Sequence, residues 1–314
     1  MDRSLISLDR MASFVRVAER NSLSAVAREL GVGQSTITRH LSELEKALGV
    51  ALLHRTTRRV TLTDEGRRFH QEARAILHRV EAAAESARRG GQAAAGIVRI
   101  TSTAALGVRH VSPLLFGFQD RHPGIRIDLS LSDDRVNLVR ENRDIALRCG
   151  TVADSAMKRR ALGWSERMLV ASRAYLEARG RPGRAADLGR HDMIRMLIIA
   201  GSDCIDLRDR EGGRCVLPVE APFLTDHGLA VREAIVAGRG IALAHRWLVD
   251  DLLAAGMVEI VLPEFRAPPM PLTLLIVPER SRVERVRLAI DHLAEGARTL
   301  PGVFPTEPEA LRGG

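Results

Sequence analysis

The sequence predicts an α/β protein carrying a small helical, winged module at its N-terminus. Three observations predict it. Apolar residues recur at three- and four-residue spacing through residues 8–48, as in short amphipathic helices. Residues 64–89 keep a helical pattern with no proline. From residue 97 onward, short aliphatic runs alternate with helical segments, the signature of mixed, largely parallel sheets covered by helices.

The 314 residues suffice for about two or three domains with a sizeable core. No apolar run reaches the roughly 18 residues a membrane span requires. Met1-Asp2-Arg3-Ser4 lacks the basic-then-apolar pattern of a signal peptide, so the expected compartment is the cytoplasm, with no membrane partner. A net charge of +8 favours a polyanionic partner. Lys46 and Lys158 are the only lysines, however, and an arginine bias of this kind also follows from a GC-rich genome. Cys149, Cys204 and Cys215 are widely spaced and form no CxxC or Cys/His cluster. They read as reduced, buried thiols, with a redox switch as the lesser alternative, and no metal or cofactor is expected.

Leu8, Met11, Phe14, Val15 and Ala18 mark the apolar face of a first helix. Asn21-Ser22 breaks the pattern and caps a second helix over about 24–30, which buries Ala25, Val26 and Leu30 and stops at Gly31. A third runs from Gln34-Ser35 to Leu48 with Ile37, Leu41, Leu44 and Leu48 inward, and Gly49 ends it. Ala27, Gly31 and Ile37 then supply a small residue at a close helix contact, a residue tolerant of positive φ in the turn, and an aliphatic anchor. Those three positions suit a helix-turn-helix, and equally a plain three-helix bundle.

The outward face of the third helix favours the former. Gln34, Ser35, Thr36, Thr38, Arg39, His40 and Ser42 are polar residues at the end that a helix-turn-helix puts into the major groove. Gln pairs with adenine, Arg with guanine, and Thr offers a hydroxyl and a methyl. Ser35 and Thr36 also suit a phosphate at the helix start. A basic turn, His54-Arg55-Thr56-Thr57-Arg58-Arg59, follows between two short apolar runs and reads as a wing. Arg55, Arg58 and Arg59 would meet phosphates or the minor groove, where a solvated charge run is the plainer alternative.

Thr63 is the expected N-cap of the next helix, roughly 39 Å long at 1.5 Å per residue. Phe69, Ala73, Ile76, Val80, Ala83 and Ala87 fall on heptad a/d spacing. The stripe favours a partner helix over packing on its own domain, and a dimer would read two half-sites. Residues 90–96 read as a hinge.

Beyond the hinge, strands fit residues 97–101, 125–131, 144–148, 168–171, 193–196, 216–219, 241–244, 259–262 and 272–277. Helices fit about 106–121, 228–237 and 246–255. Ligands on such sheets bind at the carboxyl ends of strands. The polar residues there are Thr101, Ser102, Thr103, Ser130, Ser132 and Arg148, with Thr225, Asp226 and His245 in the later half. Hydroxyls with one Arg suit a small carboxylate or similar anion, although Ser and Thr after strands commonly cap helices and pairing with Asp144 or Asp128 is the plainer alternative for Arg148.

The segment from Leu8 to Gly66 resembles the LysR-type transcriptional regulators. The running pattern is Phe14-x-x-Val17-Ala18-Glu19, Ser22-Leu23-Ser24, Ala27-x-x-Leu30, Gln34-Ser35 and Thr38-Arg39. It continues as Leu44-Glu45-x-x-Leu48-Gly49, Leu52-Leu53-x-Arg55 and Leu62-Thr63-x-x-Gly66. Leu53 stands where Phe is usual and Val26 where one of two paired alanines is usual. Asp144-Ile145-Ala146-Leu147-Arg148-x-Gly150, Ser172-x-Ala174-Tyr175-Leu176 and Ala237-Gly238-x-Gly240-Ile241-Ala242 resemble the effector domain of the same family. His245 stands where Pro commonly follows the last run.

The resemblance implies double-stranded promoter DNA as partner, with Gln34, Thr38 and Arg39 as base readers and Arg55 as a wing contact. It implies a small-molecule effector between two lobes built like a periplasmic binding protein. It also implies a homodimer, or a homotetramer as a dimer of dimers, assembled through helix 64–89. The expected domains are a winged helix-turn-helix over 1–63, the helix 64–89, the hinge 90–96 and a two-lobed domain over 97–298. Lobe I would comprise about 97–162 and 268–298, lobe II about 163–267, with crossovers near Leu162–Trp164 and Pro263–Pro269. A disordered tail is expected over 299–314.

Two other functions compete with this reading. An α/β enzyme fused to a DNA-binding arm would need catalytic machinery, and the sequence carries no HExxH, GxSxG, P-loop or GxGxxG motif. Asp226-His227 are adjacent, but no nucleophile is placed near them. An architectural DNA binder would not require a two-lobed cleft.

Overall fold

The computed structural model describes residues 6–55, 60–87, 94–134, 138, 141–152, 156–197, 203–209 and 211–307. They fall into two compact units, one carrying Met1–Gln92 and the other Ala93–Leu138 and Arg143–Gly314.

The first unit contains α1 (Leu8–Arg20), α2 (Leu23–Leu30), α3 (Gln34–Leu48), β1 (Leu53–Arg55), β2 (Val60–Leu62) and α4 (Asp64–Ala87). Side-chain oxygens start the helices: Ser7 Oγ accepts from Arg10 N, and Ser22 Oγ from Ala25 N at 3.2 Å. The turn between α2 and α3 passes through Gly31 at φ +65°, the left-handed conformation a Cβ disfavours. Phe14, Val17, Val26, Ile37, Leu41 and Leu44 form the buried centre. Some inward assignments change. On α1 Val17 is as fully buried as Phe14, while Leu8 is exposed and Ala18 half-buried. On α2 Val26 and Ala27 are buried while Ala25 and Leu30 are half-buried, and on α3 Ala47 is buried and Leu48 half-buried. The cause is that α1 packs against α3 and α4 as well as α2, which rotates its buried stripe.

On α4, Thr63 Oγ1 accepts from Gly66 N at 2.8 Å, capping the helix. The heptad stripe then divides. Ala73 is buried and Phe69 sits 5.6 Å from the Phe14 ring, so this half packs on its own domain rather than on a partner. Ile76 and Val80 are exposed. The side chains of Ala83 and Ala87 lie outside the described residues.

In the second unit, β3 (Gly96–Ser102) leads into α5 (Ala104–Leu106), a π-helical turn (Gly107–Val111) and α6 (Ser112–Arg121). β4 (Ile125–Leu131), β5 (Ile145–Cys149), β6 (Lys158–Ser172) and α7 (Arg173–Arg179) follow. Then come β7 (Met193–Met196), β8 (Cys204–Arg208), β9 (Arg214–Pro218), β10 (Phe223–Thr225), α8 (Gly228–Val236), β11 (Ile241–His245) and α9 (Arg246–Ala254). The last elements are β12 (Val258–Ile260), β13 (Ala267–Ile276), α10 (Glu284–Ala297) and β14 (Val303–Phe304).

Among the described residues one ladder runs β10-β7-β11-β6-β13-β5-β3-β4, with β12 and β14 also paired to β6. The triplets β4-β3-β5 and β10-β7-β11 are each parallel and form the sheets of two lobes. The antiparallel pair β6 and β13 joins them. The first expected crossover, Leu162–Trp164, lies inside β6, whereas the second, Pro263–Pro269, covers the turn before β13 and its first residues, where the register with β6 shifts between Ala267 and Met270. The first lobe buries Ile100, Leu106, Leu115, Phe118, Ile145 and Leu147, and the second Leu169, Tyr175, Leu176, Met193 and Ile241.

The expected disorder from Thr299 is corrected for residues 299–307. Leu300 is buried, Glu166 N donates to Gly302 O at 2.8 Å, and β14 pairs with Ser165 and Trp164 of β6. Residues 308–314 lie outside the described residues.

Candidate DNA-binding and effector sites

Gln34 opens α3, where Gly33 supplies no side-chain cap. Such a helix start presents backbone N–H groups to an anion. Gln34, Ser35, Thr38, Arg39 and Ser42 are exposed along one face, and Thr36 is half-buried. Thr38 Oγ1 donates to Gln34 O at 3.1 Å, which fixes its rotamer. His40 leaves this face. Its Nδ1 lies 2.8 Å from Ser13 Oγ, and Ser13 is buried in α1. A second tie, Arg10 to Glu43 at 2.6 Å, also joins α1 to α3. Glu45 Oε1 accepts from both Leu52 N (2.8 Å) and Leu53 N (3.1 Å), orienting the first strand of the wing. Arg55 pairs with Val60, the pair of the hairpin nearest the connecting residues 56–59. The Arg55 side chain, Arg58 and Arg59 lie outside the described residues.

In the second unit three of the residues named from sequence meet each other. Arg148 Nη2 donates to Thr101 Oγ1 at 3.2 Å and Nη1 to Ser132 O at 3.1 Å, so Arg148 fastens the ends of β3, β4 and β5 together. Ser102 is fully buried, and its Oγ has no hydrogen-bond partner among the described residues. Thr103 precedes α5 without capping it by its side chain. That role falls to Asp133, whose Oδ1 accepts from Ala104 N at 3.0 Å. The resident carboxylate thus holds the backbone N–H that the sequence alone would leave for an anionic ligand.

Across from it, Thr225 Oγ1 accepts from His227 N at 3.2 Å, and this turn sets His227 Nε2 at 4.0 Å from Asp133 Oδ2. Asp226 is exposed. Sequence reasoning named Thr225 and Asp226 and missed Asp133 and His227. The usable signal was the polar run Ser130-x-Ser132-Asp133 leaving a strand that faces the cleft.

His245 occupies a separate cluster at the strand crossing. Its Nδ1 lies 2.8 Å from Ser165 Oγ, which also accepts from Trp247 Nε1 at 2.9 Å. The His245 ring stacks on Trp247 (5.1 Å between centroids, 16° between planes) and lies 3.8 Å from Cys149 Sγ. Burial, reinforced by the Arg167 guanidinium, pushes His245 down to about 3. Burial pushes the Cys149 thiol up to about 12, against opposing effects from Arg167 and Ser165. A neutral imidazole and an un-ionised thiol suit packing and hydrogen bonding rather than nucleophilic or redox work. The three cysteines are free and half-buried.

The lobes touch through a few groups. His110 Nε2 donates to Trp247 O at 2.9 Å, and Arg109 pairs with Asp251 at 2.7 Å. A Cβ at Gly228 would come within 2.9 Å of Ala105 Cβ, so α8 approaches α5 where only glycine fits without displacement.

Residues 91–298 match the LysR substrate binding domain, and residues 8–67 match the bacterial regulatory helix-turn-helix protein model of the lysR family. The chain belongs to the LysR family of transcriptional regulators. It is 33% identical over 265 residues to the regulator DmlR of Escherichia coli, covering 83% of this chain and 85% of that one. It is 29% identical over 288 residues to CrgA of Neisseria meningitidis, covering 91% and 96%. The full-length Vibrio cholerae virulence activator AphB superposes with a TM-score of 0.60 at 27% identity, covering 92% and 99%. A full-length variant of OxyR from Pseudomonas aeruginosa shares the fold, with a TM-score of 0.71 at 16% identity over 97% and 98%.

In this LysR-type regulator the winged helix-turn-helix is the DNA-binding domain and the two-lobed unit is the effector-binding domain. The curated relatives are transcriptional regulators. Among the described residues no group of three or more His, Cys, Asp or Glu could hold a metal ion. No described helix is long and apolar enough to cross a membrane.

Proposed function

We propose that this regulator reads promoter DNA through Gln34, Ser35, Thr36, Thr38 and Arg39, with Arg55, Arg58 and Arg59 as wing contacts to the backbone. A small polar effector, with a carboxylate or other anion as its expected class, sits between the lobes at Ser102 and Thr103. Thr101, Ser132 and Arg148 form the frame beneath it, and Thr225 and Asp226 flank it from the second lobe, whereas His245, expected from sequence at this cleft, is engaged by Ser165 and Trp247 at the strand crossing. The protein works in the cytoplasm as a homotetramer, a dimer of dimers assembled through the helix of residues 64–89.

The observation that carries the DNA half is the exposed polar face at the start of α3, next to a backbone terminus with no side-chain cap. The effector half rests on the buried Ser102 hydroxyl, unpartnered among the described residues beside a thin inter-lobe contact. Effector binding would bias lobe closure and so the spacing or bend of bound DNA.

The DNA assignment is tested with Arg39→Ala in a mobility-shift titration on operator and scrambled duplexes. A base reader contributes about 1–3 kcal/mol of discrimination. The variant should lose operator affinity while keeping its affinity for scrambled DNA. Equal loss on both duplexes would reject base reading by Arg39.

A further inference from the structure

Asp133 is nine-tenths buried, its side chain retaining 10% of its accessible surface. Its two oxygens differ. Oδ1 accepts from Ala104 N, whereas Oδ2 is buried and has no hydrogen-bond partner among the described residues. The basic group that approaches it, His227 Nε2, stops at 4.0 Å, outside hydrogen-bonding range. Ser102 Oγ, likewise buried and unpartnered among the described residues, sits at the end of β3, which is tied to the segment carrying Asp133 because Ser132 N donates to Ser102 O at 3.0 Å. Native proteins leave few buried polar atoms unsatisfied, and a carboxylate oxygen is among the costliest to leave so.

A carboxylate offers acceptors only, and its preferred complement is an N–H or O–H donor. A ligand presenting only a carboxylate to this point would set two acceptors against each other. Arg148 bonds Ser132 O and Thr101 Oγ1 through Nη1 and Nη2, and Asp133 Oδ2 receives no hydrogen bond from the described residues. We infer that the effector of this regulator carries a hydrogen-bond donor, an ammonium or hydroxyl group, that docks on Asp133 Oδ2 between Ser102 and His227. An anionic group elsewhere on the same molecule remains compatible with this docking, so the effector class narrows from a bare carboxylate to an amino- or hydroxy-substituted small molecule. This inference rests on the proposed effector cleft and adds the polarity of one point within it.

Asp133→Asn is the discriminating variant. Its Oδ1 still accepts from Ala104 N, while an NH2 replaces Oδ2, so the docking point changes from acceptor to donor with little change in shape. Binding of propionate, lactate and alanine to the full chain would be measured by titration calorimetry, which presents the same three-carbon carboxylate without a donor, with a hydroxyl and with an ammonium. Lactate or alanine should bind at least about tenfold more tightly than propionate, and Asp133→Asn should remove or reverse that preference. Equal binding of propionate, an unchanged ranking in Asp133→Asn, or no binding by any of the three overturns the inference. Thr103→Trp separates this outcome from failure of the cleft itself. Propionate binding that Thr103→Trp abolishes would retain the cleft and reject the donor rule, whereas binding unaffected by Thr103→Trp would reject both. Thermal unfolding and DNA binding of each variant establish that it is folded.

Discussion

Ser13 Oγ and His40 Nδ1 lie 2.8 Å apart, joining α1 to α3 across 27 residues of chain. Ser13 donates its own proton to Asp9 O at 2.8 Å, so the His40 N–H is the donor in the pair. The imidazole is thereby removed from the DNA face and made part of the frame that orients it. Ser13→Ala leaves that N–H half-buried and unpaired, at about 1–3 kcal/mol. Urea unfolding should show a lower midpoint with an unchanged slope, together with weaker operator binding. An unaltered midpoint would reject the tie as a stabilising contact.

Glu45 does for the wing what Ser13 does for α3. Glu45→Ala leaves the Leu52 and Leu53 N–H groups without their acceptor, costing about 1–3 kcal/mol, whereas Glu45→Gln keeps an acceptor and loses only its charge. Thermal unfolding should rank the wild type above Glu45→Gln and that above Glu45→Ala. A Gln variant as unstable as the Ala variant would show that charge, rather than the two hydrogen bonds, is what matters.

These two residues also show what a sequence can and cannot reveal. The helices, the turn glycine and most strands were legible because periodicity and capping are local, and the family pattern supplied the two lobes. His40 read as a groove residue because its partner Ser13 is distant in sequence, and Glu45 entered only through the family pattern because folding is what brings the Leu52 and Leu53 N–H groups onto it. Thr101, Ser132 and Arg148 were named together from their places at the strand ends, but the hydrogen bonds from Arg148 to Thr101 and Ser132 were not deducible from order along the chain. Asp133 was passed over since only folding brings it onto Ala104 N. The ordering of residues 299–307 was missed because β14 depends on the middle of β6, a partner no local rule supplies.

Acid should weaken the second unit through His245. Burial depresses its folded pKa to about 3, below its ordinary value of 6.5, so the unfolded chain takes up this proton first. The stabilisation is complete above pH 6.5 and is lost as pH falls from 6.5 toward 3. His110 and His191 are shifted in the same direction, chiefly by burial, so the slope attributable to His245 must be read by difference. Trp164 and Trp247 are the chain's two tryptophans, and both report on this unit alone. Fluorescence-monitored urea unfolding between about pH 6 and 4 should give His245→Asn a pH dependence shallower than wild type by about 1.4 kcal/mol per pH unit. Parallel pH profiles would reject the assignment.

The last prediction concerns the long helix. Phe69 and Ala73 are taken up by the Phe14 face of the first unit, so they are unavailable to a partner. Ile76 and Val80, at 37% and 41% exposure, continue the same a/d stripe past the end of that packing. Exposed aliphatic residues at heptad spacing are what a second copy of the helix would cover. Ile76→Glu combined with Val80→Glu should therefore lower the mass seen in sedimentation velocity while leaving the melting of the first unit unchanged. Because two linked half-site contacts multiply while single ones do not, operator affinity should fall by at least about 100-fold, with non-specific binding falling much less. Placing the same pair of glutamates at Phe69 and Ala73 should instead unfold the first unit. An unchanged mass in the Ile76/Val80 variant would move self-association to another surface.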